Sequence, residues 1–302
     1  MTPDVVRTEP VVGPLDLRRT LAPAQRGAGD PTMTLTPGEC WRASNTPEGP
    51  ATTHLRHRGG HLEIEVWGPG ARWAAEHAPA LAGLRDDADG FDPSAHPLVA
   101  TLHRRLPGVR IGRTGAVCEA LLPTVLEQKV TGLEAKRSFR SLVRMLGSQA
   151  PGPAVLALPP TATRLASTPI WTFHRAGVER RRADTITRAM HRAVRLEEAA
   201  GMSRADAHRR LQAFPGIGPW TAAEVAVVAL GDCDAVSVGD YHLKNQVSWA
   251  LTGEVRGTDE RMLELLAPWA GHRARVLRLI VAAGIGAPKF GPRTAIRSIR
   301  DL

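Results

Sequence analysis

A glycine- and proline-rich turn between two helical stretches constrains the fold of this chain more than any other feature. The turn, Pro215–Pro219, reads PGIGP; a helical pattern ends before it near Ala213, and another begins at Trp220. Glycine adopts backbone conformations that other residues avoid. Proline suits the first turn of a helix, where its missing amide has no intrahelical partner. The pattern therefore predicts two helices joined by a tight hairpin.

This hairpin is a candidate binding site for phosphate. Gly216 and Gly218 have no Cβ, can take positive φ and can present their amides together, and the dipole of the following helix attracts an anion. A dinucleotide fingerprint would need a preceding strand, and a P-loop would need a closing Lys-Ser/Thr pair. The backbone of a nucleic acid remains, and such contacts position a duplex without reading its sequence. An ordinary helix–helix turn is the alternative.

Composition agrees with a polyanionic partner but does not require one. The 302 residues include 39 Lys and Arg against 30 Asp and Glu, a net charge of +9, and this excess also fits a general preference for arginine. Apolar residues make up 43%, which is typical of a globular chain. The three cysteines, Cys40, Cys118 and Cys233, are too far apart for a metal motif or a disulfide framework and favour a reducing compartment.

We expect no membrane segment and no signal peptide. No apolar run approaches the roughly 18 residues of a membrane helix, and the N-terminus carries Asp4 and Glu9 without an apolar segment. These features predict a cytoplasmic protein.

The pattern of elements predicts an N-terminal α+β domain over residues 1–92. An alternating run, His61–Trp67, follows Gly59-Gly60, which predicts a β-hairpin with the run at 52–57. A helix is predicted from Ala71 to about Gly83, and Pro14–Leu17 is a possible first strand.

Residues 93–302 read as almost entirely helical. Ser203, with Asp206 three residues later, predicts the start of the helix that leads into the hairpin. Most of the arginines in the helical stretch 178–200 are expected to face solvent.

A single acid follows the hairpin at the expected start of another helix. Asp240 comes after Gly239 and could cap that helix, act in chemistry, or do both. A carboxylate near a sugar can stabilise an oxocarbenium-like transition state and orient or deprotonate a water molecule.

Three segments resemble the helix-hairpin-helix DNA glycosylases, most closely the 3-methyladenine DNA glycosylase II branch. Leu211–Ala222 is similar to that branch's hairpin, and Asp240–Lys244 is similar to the segment that carries its catalytic Asp. Leu126–Val130 resembles the turn that faces the lesion. The resemblance covers roughly residues 95–290, and the N-terminal domain more loosely resembles the antiparallel-sheet domain of this branch.

The resemblance implies a mainly α fold, in which residues 93–302 form two helical lobes with a cleft between them, and a monofunctional enzyme of base excision repair. Such an enzyme flips a damaged base out of double-stranded DNA and hydrolyses its N-glycosidic bond, with Asp240 as the catalytic residue. Alkylated purines such as 3-methyladenine or 7-methylguanine are the expected substrates. Trp220 stands where lyase members carry a Lys, so no AP-lyase activity is expected. The cysteine pattern of an iron–sulfur cluster is absent, and a monomer is expected.

The resemblance also assigns residues to the binding surfaces. It implies a possible Na⁺ or K⁺ ion held at the hairpin by the backbone carbonyls of Gln212, Phe214 and Ile217. The pocket is assigned to Trp220, Glu224 and Tyr241. The predicted DNA-binding residues are Gln128, Lys129, Gly216, Ile217, Gly218, Thr221, Lys244 and Arg273. Lys289 and Arg293 are further candidates for phosphate contact.

Three departures from the branch leave the lesion open. Lys129 replaces a Leu wedge, Glu224 replaces a pocket Tyr, and no aromatic residue lies near Ile280-Val281. With fewer rings for cation–π contact, the pocket could use the charge of Glu224 or accept another lesion. Glu224 could equally be a solvent-facing helix residue, and Arg273 could have a surface role. A DNA-binding protein with lost or altered catalysis is the alternative function.

Overall fold

A five-stranded antiparallel sheet forms most of the N-terminal part of the computed structural model, which describes residues 1–288. The strand order is β1-β5-β4-β3-β2. The strands are β1 (Val5–Pro10), β2 (Met33–Leu35), β3 (Glu39–Thr46), β4 (Gly49–Arg58) and β5 (His61–Trp67). Two helices accompany the sheet, α1 (Leu17–Leu21) and α2 (Ala71–Leu81).

The predicted hairpin between β4 and β5 is present. Gly59 and Gly60 both have positive φ, 55° and 75°, as the tight turn requires. Alternate residues of β5, Leu62, Ile64 and Val66, are fully buried in a core shared with α1 and α2. The possible first strand at 14–17 is wrong, because α1 begins at Leu17, where Asp16 accepts a hydrogen bond from the amide of Arg19.

The rest of the described chain is helical apart from a short ribbon, β6 (Ser148–Gln149) with β7 (Ala157–Leu158). Up to the hairpin the helices are α3 (Pro97–Arg105), α4 (Val117–Leu126), α5 (Gly132–Leu146), α6 (Ala162–Ala166), α7 (Ile170–Arg175), α8 (Arg180–Met190), α9 (Ala193–Glu197) and α10 (Arg204–Gln212). After it come α11 (Pro219–Val225), α12 (Leu243–Thr252), α13 (Asp259–Leu266) and α14 (Arg273–Ala282). Among residues 1–288, no helix has the length and apolar character needed to cross a membrane.

The helices bury two separate hydrophobic cores. The first core joins α4, α5, α8, α10 and α11, and Phe173 and Leu142 lie fully buried in it. The second core joins α3 with α12, α13 and α14, which lie far apart in sequence. The indole of Trp269 also donates to the carbonyl of Asp92 (2.8 Å), and the imidazole of His96 bonds to the carbonyl of Leu251 (2.9 Å). The segment around α3 is therefore built into the C-terminal core.

A buried arginine fixes the turn between α4 and α5. Arg182 is 5% exposed, and its Nη1 donates to the carbonyl of Leu126 at the end of α4 (2.7 Å). Helix α5 then begins with a capping box formed by Thr131 and Glu134. Arg182 is an exception to the expectation that this group of arginines faces solvent. Both ends of the turn at 127–131 are thus anchored.

Candidate active site

The predicted hairpin joins α10 to α11 and packs against α8. Ser203 caps α10 as expected, and its hydroxyl accepts the amide of Asp206 (3.2 Å). Gly216 has a φ of +92°, and a Cβ there would lie 2.3 Å from Oγ1 of Thr185. Only glycine satisfies both the backbone conformation and the close approach. Gly216 is therefore required by the packing of the turn.

Gly218 differs from the expectation of positive φ at both glycines. Its φ of −91° and ψ of −177° are extended and open to any residue. A Cβ built there would meet nothing within 4 Å, and the residue is exposed. The fold therefore does not require glycine at position 218. Because Gly218 has no side chain, its amide is uncovered at the N-terminus of α11. An anion could approach this amide closely because no side chain shields it.

Gln128 ties the α4–α5 turn to the hairpin. Its Nε2 donates to the carbonyl of Gly216 (3.0 Å) and to Oγ1 of Thr221 (2.9 Å). Thr221 is 3% exposed, so its hydroxyl supports Gln128 and cannot reach a ligand at the surface. The predicted DNA contact of Thr221 stays a prediction, and it would have to be made by the backbone amide at the start of α11 and not by this hydroxyl.

Lys129 stands at the tip of the same turn. It is exposed and, within residues 1–288, is the single non-glycine residue with positive φ, at 56°. Such a conformation costs on the order of 1–2 kcal/mol for a residue with a Cβ. The anchored ends of the turn hold it, so the lysine projects away from the helical core.

Asp240 connects the two helical lobes. Its Oδ2 accepts a hydrogen bond of 3.0 Å from Nε1 of Trp220, which lies on α11. Its Oδ1 accepts the amides of His242 (2.7 Å) and Leu243 (2.8 Å) at the start of α12. The carboxylate is half-buried and held from both sides. The structure thus shows the capping role that the sequence left open. Within the described residues, Oδ2 accepts one hydrogen bond, so it has a further lone pair for chemistry.

Glu224 lies one helical turn beyond Trp220 and is half-buried, which excludes a purely solvent-facing role. The hydroxyl of Ser237 donates to it. Burial raises the pKa of the Glu224 carboxyl; Glu127 and Asp240 act in the same direction, while Ser237 and Arg26 oppose the shift. The region around Trp220 is therefore rich in carboxyl groups.

Two arginines that sequence reasoning missed lie beside these carboxyls. Arg26, from the N-terminal domain, is 3.7 Å from Glu127, and its side chain is only 12% exposed. Burial lowers the pKa of the Arg278 guanidinium on α14 to about 10, and Glu224 opposes this shift. Nη2 of Arg278 also donates to the carbonyl of Arg19 (2.5 Å). Nothing in the sequence placed residues of the N-terminal domain near this site.

Tyr241 is not a buried side chain of the site. It is 81% exposed, and its ring meets that of His242 edge-on at 4.9 Å. Lys244 lies 3.5 Å from Asp259, whose other oxygen accepts the amide of Gly239 (3.1 Å). Lys244 and Asp259 therefore brace the loop that carries Asp240.

Arg273 is held away from Asp240. Its Nε and Nη2 donate to the two carboxylate oxygens of Asp234 at 2.8 and 2.5 Å, and its amide donates to the same group. These hydrogen bonds outweigh burial and raise the pKa of Arg273. Arg273 therefore forms a structural ion pair with Asp234, and its predicted phosphate contact stays a prediction. Lys289 and Arg293 lie outside the described residues.

The carbonyls predicted to hold a monovalent cation fit that task. Within the described residues, the carbonyl of Phe214 accepts one hydrogen bond, from the amide of Ile217 (3.0 Å), and those of Gln212 and Ile217 accept none. Carbonyl oxygens with free lone pairs at a turn suit a hard cation. A side-chain metal cluster of three or more His, Cys, Asp or Glu residues is not found in the described part of the chain.

The fold was compared with solved structures. A 3-methyladenine DNA glycosylase from Archaeoglobus fulgidus superposes with a TM-score of 0.78 at 18% identity, covering 91% of this chain and 97% of that one. A Clostridium acetobutylicum 8-oxoguanine glycosylase/lyase bound to double-stranded DNA gives 0.70 at 14%, covering 94% and 99%. The 3-methyladenine DNA glycosylase Mag1 of Schizosaccharomyces pombe, in complex with abasic DNA, gives 0.53 at 18%, covering 67% and 96%.

The sequence itself matches no protein-family model and no curated protein. The likeness extends across nearly the whole length of each of these three structures. It includes the sheet domain as well as the helical lobes in the first two, as their coverage of this chain shows. The chain therefore has the fold of the helix-hairpin-helix DNA glycosylases.

Proposed function

We propose that this chain is a monofunctional DNA glycosylase of base excision repair, with alkylated purines as its substrates. The observation that carries the proposal is the position of Asp240. Its carboxylate is oriented by Trp220 of one lobe and by the first turn of α12 in the other. This arrangement places a fixed negative group next to the helix-hairpin-helix turn, where a flipped nucleotide would arrive.

The chemistry follows from the carboxylate. As the bond between C1′ and the base breaks, the base leaves with the electron pair and positive charge develops on the sugar. The carboxylate of Asp240 stabilises that charge and orients a water molecule toward C1′. Water forms the new C1′–O bond and loses a proton to the carboxylate of Asp240, which passes it to solvent. A cationic alkylated purine takes the electron pair of the broken bond, so it leaves as a neutral base without being protonated. The products are a free base and an abasic site in an intact strand.

Water as the nucleophile is supported by what surrounds Asp240. A lyase forms a Schiff base through an amine, and the indole of Trp220 offers none. Lys244, the nearest lysine in sequence, is engaged with Asp259. A strand-cleaving activity would therefore lack a placed amine at this site.

The proposal of alkylated purines rests on the carboxyl groups near Trp220. Alkylation at N3 or N7 gives a purine a delocalised positive charge, which Glu224 and the indole face of Trp220 would favour. The fold is shared with an 8-oxoguanine enzyme as well. A neutral oxidised base is thus the competing substrate class, and a lesion panel separates the two.

DNA would be held by the hairpin and by the α4–α5 turn. The uncovered amide of Gly218 would bind a backbone phosphate, and Lys129 would enter the duplex or contact a second phosphate. A monovalent cation on the carbonyls of Gln212, Phe214 and Ile217 would add positive charge at the same place. The hydrogen bond from Gln128 to Gly216 fixes the position of the α4–α5 turn relative to the hairpin.

The test is excision by the wild type and by Asp240→Asn. Asparagine is also a good helix cap, so the variant is expected to stay folded, to bind abasic DNA and to lose release of 3-methyladenine and 7-methylguanine from methylated duplex. Asp184→Asn, on the outer part of α8, is the matched control with normal excision. Full excision by Asp240→Asn would remove the catalytic assignment. Strand cleavage by the wild type would remove the monofunctional one.

The same panel tests the alternative of a DNA-binding protein without catalysis. If the wild type binds abasic duplex but releases no base from any damaged DNA, the hairpin serves binding alone. We expect release of alkylated purines, with the free bases identified by chromatography and the strand left intact.

A further inference from the structure

A groove lies on the helical lobe away from the proposed active site. Its volume is about 410 Å³, and it is formed by the end of α5 together with α6 and α7. The lining residues are Met145, Leu146, Arg164, Ser167, Thr168, Pro169, Trp171, Thr172 and Arg175. None of the residues discussed for binding or excising a base lines this groove.

The groove is displaced from the predicted DNA-contacting turn. Helix α5 has 15 residues and begins just after that turn, whereas Met145 and Leu146 lie at its opposite end. A rise of 1.5 Å per residue separates the two ends by about 20 Å. Met145 therefore lies at the end of α5 that is remote from Lys129.

The floor of the groove exposes apolar surface that folding does not require. Trp171 is 62% exposed and Met145 is 36% exposed. The same short helix buries Phe173 completely, so α7 is anchored without the indole. Within residues 1–288, no hydrogen bond engages the indole N–H of Trp171. An exposed tryptophan beside other apolar side chains is typical of an interaction site.

The rim of the groove carries positive charge only. Arg164 and Arg175 flank the apolar floor, and neither forms an ion pair with the described part of the chain. No Asp or Glu is among the lining residues. An apolar floor between two free guanidinium groups is complementary to an acidic segment that carries a large apolar side chain.

We propose that this groove is a docking site for an acidic peptide segment of a partner protein, with an aromatic or aliphatic side chain of that segment stacked on Trp171. Arg164 and Arg175 pair with its carboxylates. A phosphodiester backbone fits less well, because it would leave the tryptophan and methionine surface exposed to water. The proposal concerns recruitment of the protein and is independent of the chemistry at Asp240.

The test is fluorescence anisotropy with a short fluorescein-labelled peptide of Asp and Glu around a central Leu-Phe pair. Wild-type protein should bind it saturably, and a peptide with Ser in place of the acids should not bind. Trp171→Ala should weaken binding roughly fivefold or more. The pair Arg164→Glu and Arg175→Glu should abolish it. All variants should unfold at the wild-type temperature, which shows that they are folded whether or not the protein excises bases.

Two matched controls sharpen the result. Val194 is 78% exposed, and the side chain of Arg72 is 81% exposed; both lie outside the groove. Val194→Ala and Arg72→Glu should bind the peptide like the wild type. Equal binding by all variants would overturn the proposal, as would displacement of the peptide by undamaged duplex DNA. A dimer that dissociates on Trp171→Ala would overturn it too, since a second copy would then be the occupant.

Discussion

Trp220 combines two tasks at a single position. It offers no amine, as the proposed hydrolytic mechanism requires, and its indole N–H donates to the carboxylate of Asp240. The sequence motif indicated the first task. The second required the structure, because the indole and the carboxylate lie on different lobes and approach each other only in the folded chain.

Trp220→Phe should separate orientation from the aromatic surface. The phenyl ring keeps most of the apolar contact but loses the donor to Oδ2 of Asp240. Loss of a hydrogen bond to a charged group predicts a fall in kcat of roughly 10- to 100-fold with little change in KM. Single-turnover excision measures both. Trp73→Phe, in the N-terminal domain, is the control; an unchanged kcat for Trp220→Phe would show that the hydrogen bond does not position the carboxylate.

Glu224→Gln should stabilise the protein and impair lesion recognition. The folded-state pKa of Glu224 is raised above its ordinary value of 4.5. The folded protein therefore binds a proton more tightly than the unfolded chain, so wild-type stability falls as pH rises above about 4.5 toward the folded pKa. Gln does not ionise, so its stability advantage should grow with pH over that window.

Thermal unfolding at pH 4 and pH 8 measures this effect, with Glu264→Gln on the exposed face of α13 as the control. The same Glu224 variant should lose excision of cationic alkylpurines more than excision of neutral bases. A variant that is less stable at pH 8 than at pH 4, relative to the wild type, would contradict the assignment of an unfavourably buried carboxyl.

At the scale of the element, the two glycines of the hairpin have different tasks. Gly216 packs against Thr185 with positive φ, whereas Gly218 is extended and open. Gly216→Ala should therefore destabilise the fold by about 1–3 kcal/mol. Gly218→Ala should change stability by less than about 0.5 kcal/mol yet weaken duplex binding, since its Cβ would stand beside the amide that an anion approaches.

Urea unfolding and binding to abasic duplex, measured on both variants, separate the two tasks. Gly132→Ala is the control for the second, because a Cβ at Gly132 also meets nothing within 4 Å. If Gly218→Ala binds duplex like the wild type, the hairpin amide does not hold a phosphate.

The elements differ in how much of them could be predicted. The helix–turn–helix at Pro215–Pro219 and the Gly59-Gly60 turn follow local rules, and the structure confirms them. Strand β1 was missed because its pairing partner, β5, lies far along the chain. The ion pair of Arg273 could not be predicted for the same reason: its partner, Asp234, is distant in sequence. Arg26 and Arg278 reach the site only through contacts between domains.

At the scale of the whole molecule, one buried ion pair fastens the linker after α2 to helix α14. Asp86 and Arg275 have side chains only 9% and 7% exposed and form two hydrogen bonds, of 2.7 and 2.8 Å. Asp86 also accepts the amide of Ile111 (2.9 Å). The linker after α2, the segment between α3 and α4, and helix α14 thus meet at one carboxylate.

Asp86→Ala should destabilise the protein by about 3–5 kcal/mol, because it leaves a buried guanidinium without its partner. Urea unfolding measures the loss, and the exposed neighbour Asp87→Ala serves as the control, with a change below about 0.5 kcal/mol. A small effect at Asp86 would mean that water reaches Arg275 and replaces the carboxylate.

Because α3 packs against the C-terminal helices α12, α13 and α14, their shared core can form only late in synthesis. Helix α3 leaves the ribosome long before α12, α13 and α14, so the core around its apolar residues Val99 and Leu102 cannot be completed until those helices emerge. The loop that bears Asp240 is braced by that late core. If the proposed function holds, a nascent or C-terminally truncated chain would present the hairpin without a formed catalytic site, and it would bind DNA without excising a base.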